Sequence, residues 1–220
     1  MKKTPNLQHV FYDLDSIRAS VEAAERRTRG EIVPMVVPAS ALYRDASHLA
    51  GLIMALLALA LLVASDYGWG SWHWSGGHPG WSVIIVLAAY VLGSLAGRSP
   101  SVIRLLTSQD RMKRKVELRA QRAFYEQGLH KTREGTGILI LLSTLERRVQ
   151  ILADRSIDER VPSGTWDALV DDLVRGIQAG RETETVCRVI AKCGDLLAVH
   201  FPAREGDNPN ELSDDLIRGA

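Results

Sequence analysis

The sequence predicts a small mixed-sheet α/β/α sandwich that is interrupted by a two-helix transmembrane hairpin. Two observations lead to this prediction. Residues 46–97 of the 220-residue chain contain a single charged side chain, Asp66. On both sides of this stretch, helical and strand-like apolar patterns follow one another, which is typical of layered α/β folds.

This nearly uncharged stretch contains two apolar runs, Leu49–Ala64 and Trp81–Gly97. With its weakly polar flanks, each run approaches the roughly 20 residues that a membrane span needs. The alternative is a buried helix pair in a soluble core, but core helices rarely run this long without a charge. Indole rings favour the membrane–water interface. We therefore expect interfacial positions for four tryptophans in and beside the tip, Trp69, Trp72, Trp74 and Trp81.

The charge distribution predicts how the hairpin is oriented. The tip between the two runs has no Lys or Arg, whereas residues 98–133 contain ten of them against three carboxylates. Basic flanks stay cytoplasmic, so we expect a multi-pass protein with both termini in the cytoplasm. The first 30 residues lack the apolar core of a signal peptide, in agreement with that orientation. Arg98 and Arg104 are expected to reach lipid head groups.

The predicted domains follow from this pattern. Residues 1–44 form the first part of the sandwich, 45–98 the hairpin, 99–202 the second part and 203–220 a mobile tail. In the first part, Asp13–Arg29 reads as an amphipathic helix with Gly30 as its C-cap. Glu31–Val37 reads as a strand, and Pro34 predicts an edge or a bulge there because proline cannot donate to a ladder.

Five further elements are predicted after the hairpin. A continuous helix begins at Ser99-Pro100, a capping residue followed by a first-turn proline, and ends at Gln127-Gly128. Two antiparallel strands and two helices follow, with predicted bounds Gly137–Ser143, Arg147–Ala153, about 163–179 and about 181–201.

Several segments outside the hairpin resemble the TPM domain family, and in particular its bacterial membrane branch, which carries two spans after the first strand. The segments that carry the resemblance are Ala23–Val33, Ala123-Phe124, Gly128–Thr132, Gly135–Ile140, Glu146–Ile157, Trp166 and Leu197–Pro202. The resemblance implies an α/β/α sandwich around a small mixed sheet and a place in the bacterial inner membrane. It also implies roles that range from acid phosphatase activity, photosystem repair and receptor accessory functions to divalent-cation binding. Ser156 stands where glycine is common in the family.

The loop after the predicted third strand is the candidate chemical site. It offers Asp154, Asp158 and Glu159 within six residues at a strand end. Ca²⁺ and Mg²⁺ prefer several oxygen ligands, and α/β folds often bind ligands at strand ends. The alternative is a solvated acidic loop in which Asp154 pairs with Arg148 or Arg155.

Motif searching finds no nucleophile elbow, P-loop or H-E-x-x-H. We therefore expect a membrane-anchored module that binds a membrane or cytoplasmic protein partner in assembly or quality control. The alternative is a divalent-metal-dependent phosphatase on the same fold, so whether the chain is an enzyme stays open. No nucleic acid is expected, because the basic run Arg111–Lys115 lies beside a span, where acidic lipid or topology explains it better.

Overall fold

The computed structural model describes residues 13–68, 80–204 and 212–219. Its helices are α1 (Leu14–Glu25), α2 (Arg44–Gly68), α3 (Gly80–Ala96), α4 (Pro100–Leu106), α5 (Gln109–Glu126), α6 (Arg155–Asp158), α7 (Thr165–Gln178) and α8 (Glu182–His200). Its strands are β1 (Glu31–Val37), β2 (Gly137–Ser143), β3 (Arg148–Ala153) and β4 (Ile217–Arg218). The chain divides into two compact units, one of residues 1–41 with 113–220 and one of residues 42–112.

The first unit is built on a mixed sheet in the order β3-β2-β1-β4. β1 runs parallel to β2 with Glu31 opposite Gly137, although 99 residues separate the two strands in the chain. β3 returns antiparallel to β2, and β4 lies parallel to β1 on its other side. The three predicted strands and the antiparallel pairing of the last two are confirmed.

Helices cover both faces of this sheet. Alternate residues of a strand point to opposite faces, and every residue of β2 is buried, as expected for a strand covered on both sides. One face packs against α1, α7 and α8 through Ile32, Ile138, Ile140, Leu142 and Ile151. The other packs against α5 through Val33, Met35, Val37, Leu139 and Leu141. The predicted three-layer α/β/α arrangement is therefore observed.

The outer edge of β1 explains its proline. The Ile32 N–H, on that edge, donates to Oε1 of Glu25 at 2.8 Å, and the Val36 carbonyl accepts from the Gly219 N–H at 2.9 Å. Because residues two apart in a strand use the same edge, Pro34 lies between these two on the outer side. β4 pairs only with Met35 and Val36. Pro34 thus stands where no ladder hydrogen bond is lost, as an edge position predicts.

The predicted mobile tail of residues 203–220 is corrected in part. Residues 212–219 return to the sheet, where Ile217 and Arg218 form β4. Leu212 and Ile217 pack against the core under α5, and Leu216 packs against the core on the opposite face. These three apolar side chains were the signal in an otherwise polar segment, and a two-residue strand gives no recognisable periodicity.

The predicted helix from Ser99 is not continuous. Thr107 adopts an extended backbone, with φ −106° and ψ 130°, and ends α4. The Ser108 side chain then accepts from the Arg111 N–H at 3.4 Å, as a residue that opens a helix does. α5 therefore starts as a separate helix, and the apolar stripe that suggested continuity belongs to two elements.

Gly30 also has a different role from the predicted C-cap, because α1 already ends at Glu25. A Cβ at Gly30 would lie 2.7 Å from Cδ1 of Leu197 and 2.9 Å from the Thr136 carbonyl oxygen. The glycine is required by close packing between the start of β1 and α8.

The second unit is dominated by the antiparallel pair α2 and α3. Gly97 packs on Ser47, near the start of α2, and Gly93 packs on Ala50 and Met54. In the part of the chain that the structure describes, α2 is the one helix long and apolar enough to cross a membrane by itself, over Arg44–Ala64. α3 has 17 residues, and it meets that measure only when joined to α4, from which it is bent by 100°.

Candidate functional site

The structure does not bring the three predicted metal ligands together. Asp154 caps α6 and accepts from the Arg155 N–H at 2.7 Å. Asp158 accepts from Nε1 of Trp166 at 2.8 Å, and Glu159 pairs with Nε of Arg155 at 2.7 Å. Within the described ranges, no three or more His, Cys, Asp or Glu side chains are grouped to hold a metal ion. These contacts give the acidic loop local structural roles.

The position of this loop differs from the one that motivated its choice. The Asp154 N–H donates to the carbonyl of Gly137, the first residue of β2. Because β3 is antiparallel, its end lies beside the amino ends of β1 and β2. Ligand crevices in α/β sheets lie outside the carboxyl ends of parallel strands. The Ser156 hydroxyl donates to the Gly135 carbonyl and so connects the acidic loop to the segment before β2. The serine found in place of glycine therefore has a structural role.

The carboxyl ends of β1 and β2 hold a polar cluster that the sequence analysis missed. Oγ of Ser40 donates to Oγ of Ser143 at 2.8 Å, and Ser143 donates in turn to Oε2 of Glu146. The Ser40 N–H donates to Oε1 of Glu146 at 2.9 Å. Ser143 and Glu146 are buried. The cluster ties the segment after β1 to the turn after β2, which suits a structural brace, since both carboxylate oxygens accept from these serines.

A second buried acid lies at the outer edge of β1. Glu25 accepts from the Ile32 N–H and also hydrogen-bonds to Asp214 of the C-terminal segment. Burial raises the pKa of Glu25 to about 9, and the nearby charges of Glu31 and Asp214 act in the same direction. The hydrogen bond from Ile32 opposes this shift. Glu25 is therefore a neutral carboxylic acid at pH 7 and joins α1, β1 and the C-terminal segment.

Most of the exposed large apolar side chains among the described residues lie on the helix pair of the second unit. Gly51 and Gly93 make close contacts with the partner helix at Tyr90 and Met54, whereas most of the large aliphatic side chains are exposed. Along α2 the exposed ones are Leu49, Leu52, Ile53, Met54, Leu56, Leu57, Leu59, Leu61 and Val63, and along α3 they are Val83, Ile84, Ile85, Leu87, Val91, Leu92 and Leu95. Only 17% of the apolar window of α2 is buried. This is the reverse of a core helix in a soluble protein, which covers its large apolar side chains.

The residues predicted to lie at the membrane boundaries are placed at the ends of this pair. Trp81 is the second residue of α3 and is 66% exposed. Arg98 is exposed and lies two residues after the end of α3, and Arg104 is half-buried on α4. The predicted interfacial residues Trp69, Trp72 and Trp74 lie outside the described residues.

Comparison with known proteins supports the fold. A sequence profile of the TPM domain matches residues 91–194. The NMR structure of the BA42 protein from the psychrophilic bacteria Bizionia argentinensis is similar, with a TM-score of 0.57 and 16% identity over 95% of this chain and 94% of that chain. No curated protein matches the sequence. The profile match begins inside α3, and the structure adds α1 and β1 to the same sandwich.

Proposed function

We propose that this chain is a TPM-like domain held in a bacterial inner membrane by α2 and α3, where it binds a protein partner in membrane-protein assembly or quality control. The observation that carries the anchoring proposal is the helix pair, which has glycines at its closest contacts and most of its large aliphatic side chains exposed. Apolar surface left in water costs about 25 cal/mol per Å², whereas lipid chains cover it at no such cost. Small residues that let backbones approach are typical of helix contacts in membranes.

Glycine contacts give the pair this close approach. A Cβ at Gly51 would lie 2.8 Å from the Tyr90 carbonyl oxygen, and one at Gly93 would lie 2.8 Å from the Ala50 carbonyl oxygen. Oγ of Ser94 donates to the Tyr90 carbonyl at 2.8 Å, so this hydroxyl is satisfied within its own helix. Because the helices satisfy their own backbone hydrogen bonds, and Ser94 its hydroxyl, these groups do not need water as a partner.

The sheet supports two crossings rather than one. β1 precedes the helix pair and β2 follows it, yet the two strands are hydrogen-bonded neighbours along seven residues. They must therefore lie on the same side of any membrane, and the chain between them must cross an even number of times. If α2 crosses, α3 crosses back. At 1.5 Å per residue α3 is about 26 Å long, slightly less than a hydrocarbon core of about 30 Å, and such a mismatch is accommodated at modest cost.

Reporter fusions test the sidedness. Alkaline phosphatase, which is active only outside the cytoplasm, is fused after Gly76 in one protein and after Ala220 in another. The proposal expects activity from the first fusion and none from the second, and fluorescence from green fluorescent protein fused after Ala220. Activity of alkaline phosphatase after Ala220 would contradict the cytoplasmic orientation. Inactivity after Gly76 would contradict an external tip.

Partner binding is the function proposed for the sandwich itself. Its two buried polar clusters brace loops and strands, and the acidic loop makes local contacts, so the described residues support a binding scaffold more directly than a reaction. The test is chemical cross-linking in intact membranes followed by purification of the full chain. We expect one protein to be recovered in near-equal amount. Recovery of the chain without such a protein, from cells in which it is normally expressed, would contradict this role.

The alternative function is a metal-dependent phosphatase that uses the carboxylates of the acidic loop. Hydrolysis of a generic phosphomonoester is measured with Ca²⁺, with Mg²⁺ and with a chelator, for the wild type and for Asp154→Ala. The partner-binding proposal expects no metal-dependent activity in either protein. Activity that depends on the metal and disappears in Asp154→Ala would favour the phosphatase instead.

A further inference from the structure

The end of the helix pair at which α2 begins and α3 ends carries a mixed basic and apolar surface. It consists of Leu42, Arg44, Arg98, Arg104 and Leu105, which we call the basic collar. Leu42 is 80% exposed and Leu105 is 82% exposed. Arg44 and Arg98 are exposed as well. Exposed leucines beside arginines are unfavourable in water but are typical of a surface that lies at a lipid interface.

The members of the basic collar come together because of the antiparallel packing. The packing of Gly97 on Ser47 places the end of α3 beside the start of α2. Arg44 and Arg98 therefore flank the same end of the pair. α4 then turns through 100° and contacts α2, with Ile103 buried and Leu105 pointing outward. The turn is fixed by the Ser99 side chain, which accepts from the Val102 N–H, and by Pro100 in the first turn.

We propose that the basic collar binds the head groups of anionic phospholipids, with Arg44 and Arg98 on the phosphates and with Leu42 and Leu105 in the adjoining acyl region. This inference rests on the membrane anchoring proposed above. An arginine guanidinium donates two parallel hydrogen bonds to phosphate oxygens, and its positive charge favours a head group with a net negative charge over a zwitterionic one. The acid beside Arg44, Asp45, pairs with Arg111, which offsets the negative charge at this end.

The turn between α3 and α4 supports the same occupant. A helix bent by 100° from a membrane-spanning neighbour lies close to the membrane plane, at the depth of the head groups. α4 presents Arg104 and Leu105 next to each other along such a plane. An anionic lipid can contact both side chains at once, because its phosphate and its acyl chains lie at neighbouring depths.

The test measures lipid selectivity with the full chain reconstituted in phosphatidylcholine vesicles. Spin-labelled phosphatidylglycerol or spin-labelled phosphatidylcholine is added in trace amount, and the motionally restricted fraction is read by electron paramagnetic resonance. Each basic residue near an anionic surface contributes on the order of a fivefold preference, so we expect phosphatidylglycerol to be favoured at least about twofold. The preference should decrease when salt is raised, because screening weakens the contact.

Two double variants make the test specific. Arg44→Gln with Arg98→Gln removes the two arginines placed on the phosphates and should lower the preference to less than half of the wild-type value. Arg26→Gln with Arg181→Gln removes the same charge from exposed positions in the sandwich and should leave the preference unchanged. Equal restriction of both lipids by the wild type, or a preference that survives Arg44→Gln with Arg98→Gln, would overturn the inference while leaving the anchoring intact. Absence of any restricted lipid would overturn both.

Discussion

Glu25 shows how one side chain can connect distant parts of this chain. It is the last residue of α1, and its carboxyl group satisfies the exposed edge of β1 through Ile32. Asp214, which reaches the same carboxyl group, comes from the C-terminal segment. A hydrogen bond between two acidic side chains needs a proton, and burial keeps that proton on Glu25. We therefore expect docking of the C-terminal segment to weaken as Glu25 ionises.

The free energy of unfolding should decrease as the pH is raised from 4.5 to 9. Those values are the ordinary pKa of Glu25 and its raised pKa in the folded chain, and between them the folded state binds more protons than the unfolded state. Glu25→Gln keeps Oε1 as an acceptor for Ile32 but cannot ionise. We expect the variant to lose most of this decrease and to be more stable than the wild type at the alkaline end.

Chemical denaturation of both proteins across that pH range measures the effect. Glu22→Gln is a matched control, because Glu22 lies one turn earlier on α1 and is half-buried in a surface ion pair with Arg18. The control should retain the wild-type dependence on pH. A wild-type stability that is flat or increases from pH 4.5 to 9 would contradict the role assigned to Glu25.

At the scale of elements, the periodic segments were predictable and the interruptions were not. β1 and β2 were predicted with the bounds that the structure shows, because their apolar runs end at turn residues on both sides. The break at Thr107 and the two-residue β4 escaped, since each depends on contacts made by the folded chain. The cluster of Ser40, Ser143 and Glu146 was missed for the same reason. Its two serines are hydrogen-bonded to each other although they are 103 residues apart in the sequence.

The contact between α2 and α3 should tolerate no large side chain at Gly93. A Cβ there would lie 2.7 Å from Cβ of Met54, so Gly93→Leu should separate the helices and cost about 1–3 kcal/mol, as overpacking does. Gly80→Leu is the matched control, because a Cβ at Gly80 meets nothing within 4 Å. Thermal unfolding in detergent should show a lower midpoint for Gly93→Leu alone. Equal midpoints for the two variants would contradict this packing.

At the scale of the whole molecule, the topology restricts the proposed arrangement. If the helix pair lies in a membrane, a sheet assembled from strands on both sides of the pair requires an even number of crossings. The sequence predicted that the apolar stretch interrupts a single sandwich. The structure adds the parallel register of β1 with β2, which ties the two parts of the sandwich together residue by residue.

The acidic loop illustrates why site prediction was less successful than fold prediction. Three carboxylates close in sequence suggested a shared ligand, but the capping of α6 and the hydrogen bond from Trp166 direct them to different partners. Sequence spacing shows that side chains are close along the chain. Whether they converge on one ligand depends on the fold, including the direction of the strand that precedes them. Here β3 is antiparallel, and its loop lies away from the carboxyl ends of β1 and β2.

The most direct test of the account is whether α2 and α3 lie in lipid. Membranes from cells that express the full chain are extracted with alkaline carbonate, which releases peripheral proteins and leaves spanning proteins behind, and are then separated by flotation. The account predicts that the chain floats with the lipid after extraction and is released only by detergent. Recovery of the full-length chain as a detergent-free soluble monomer would contradict it.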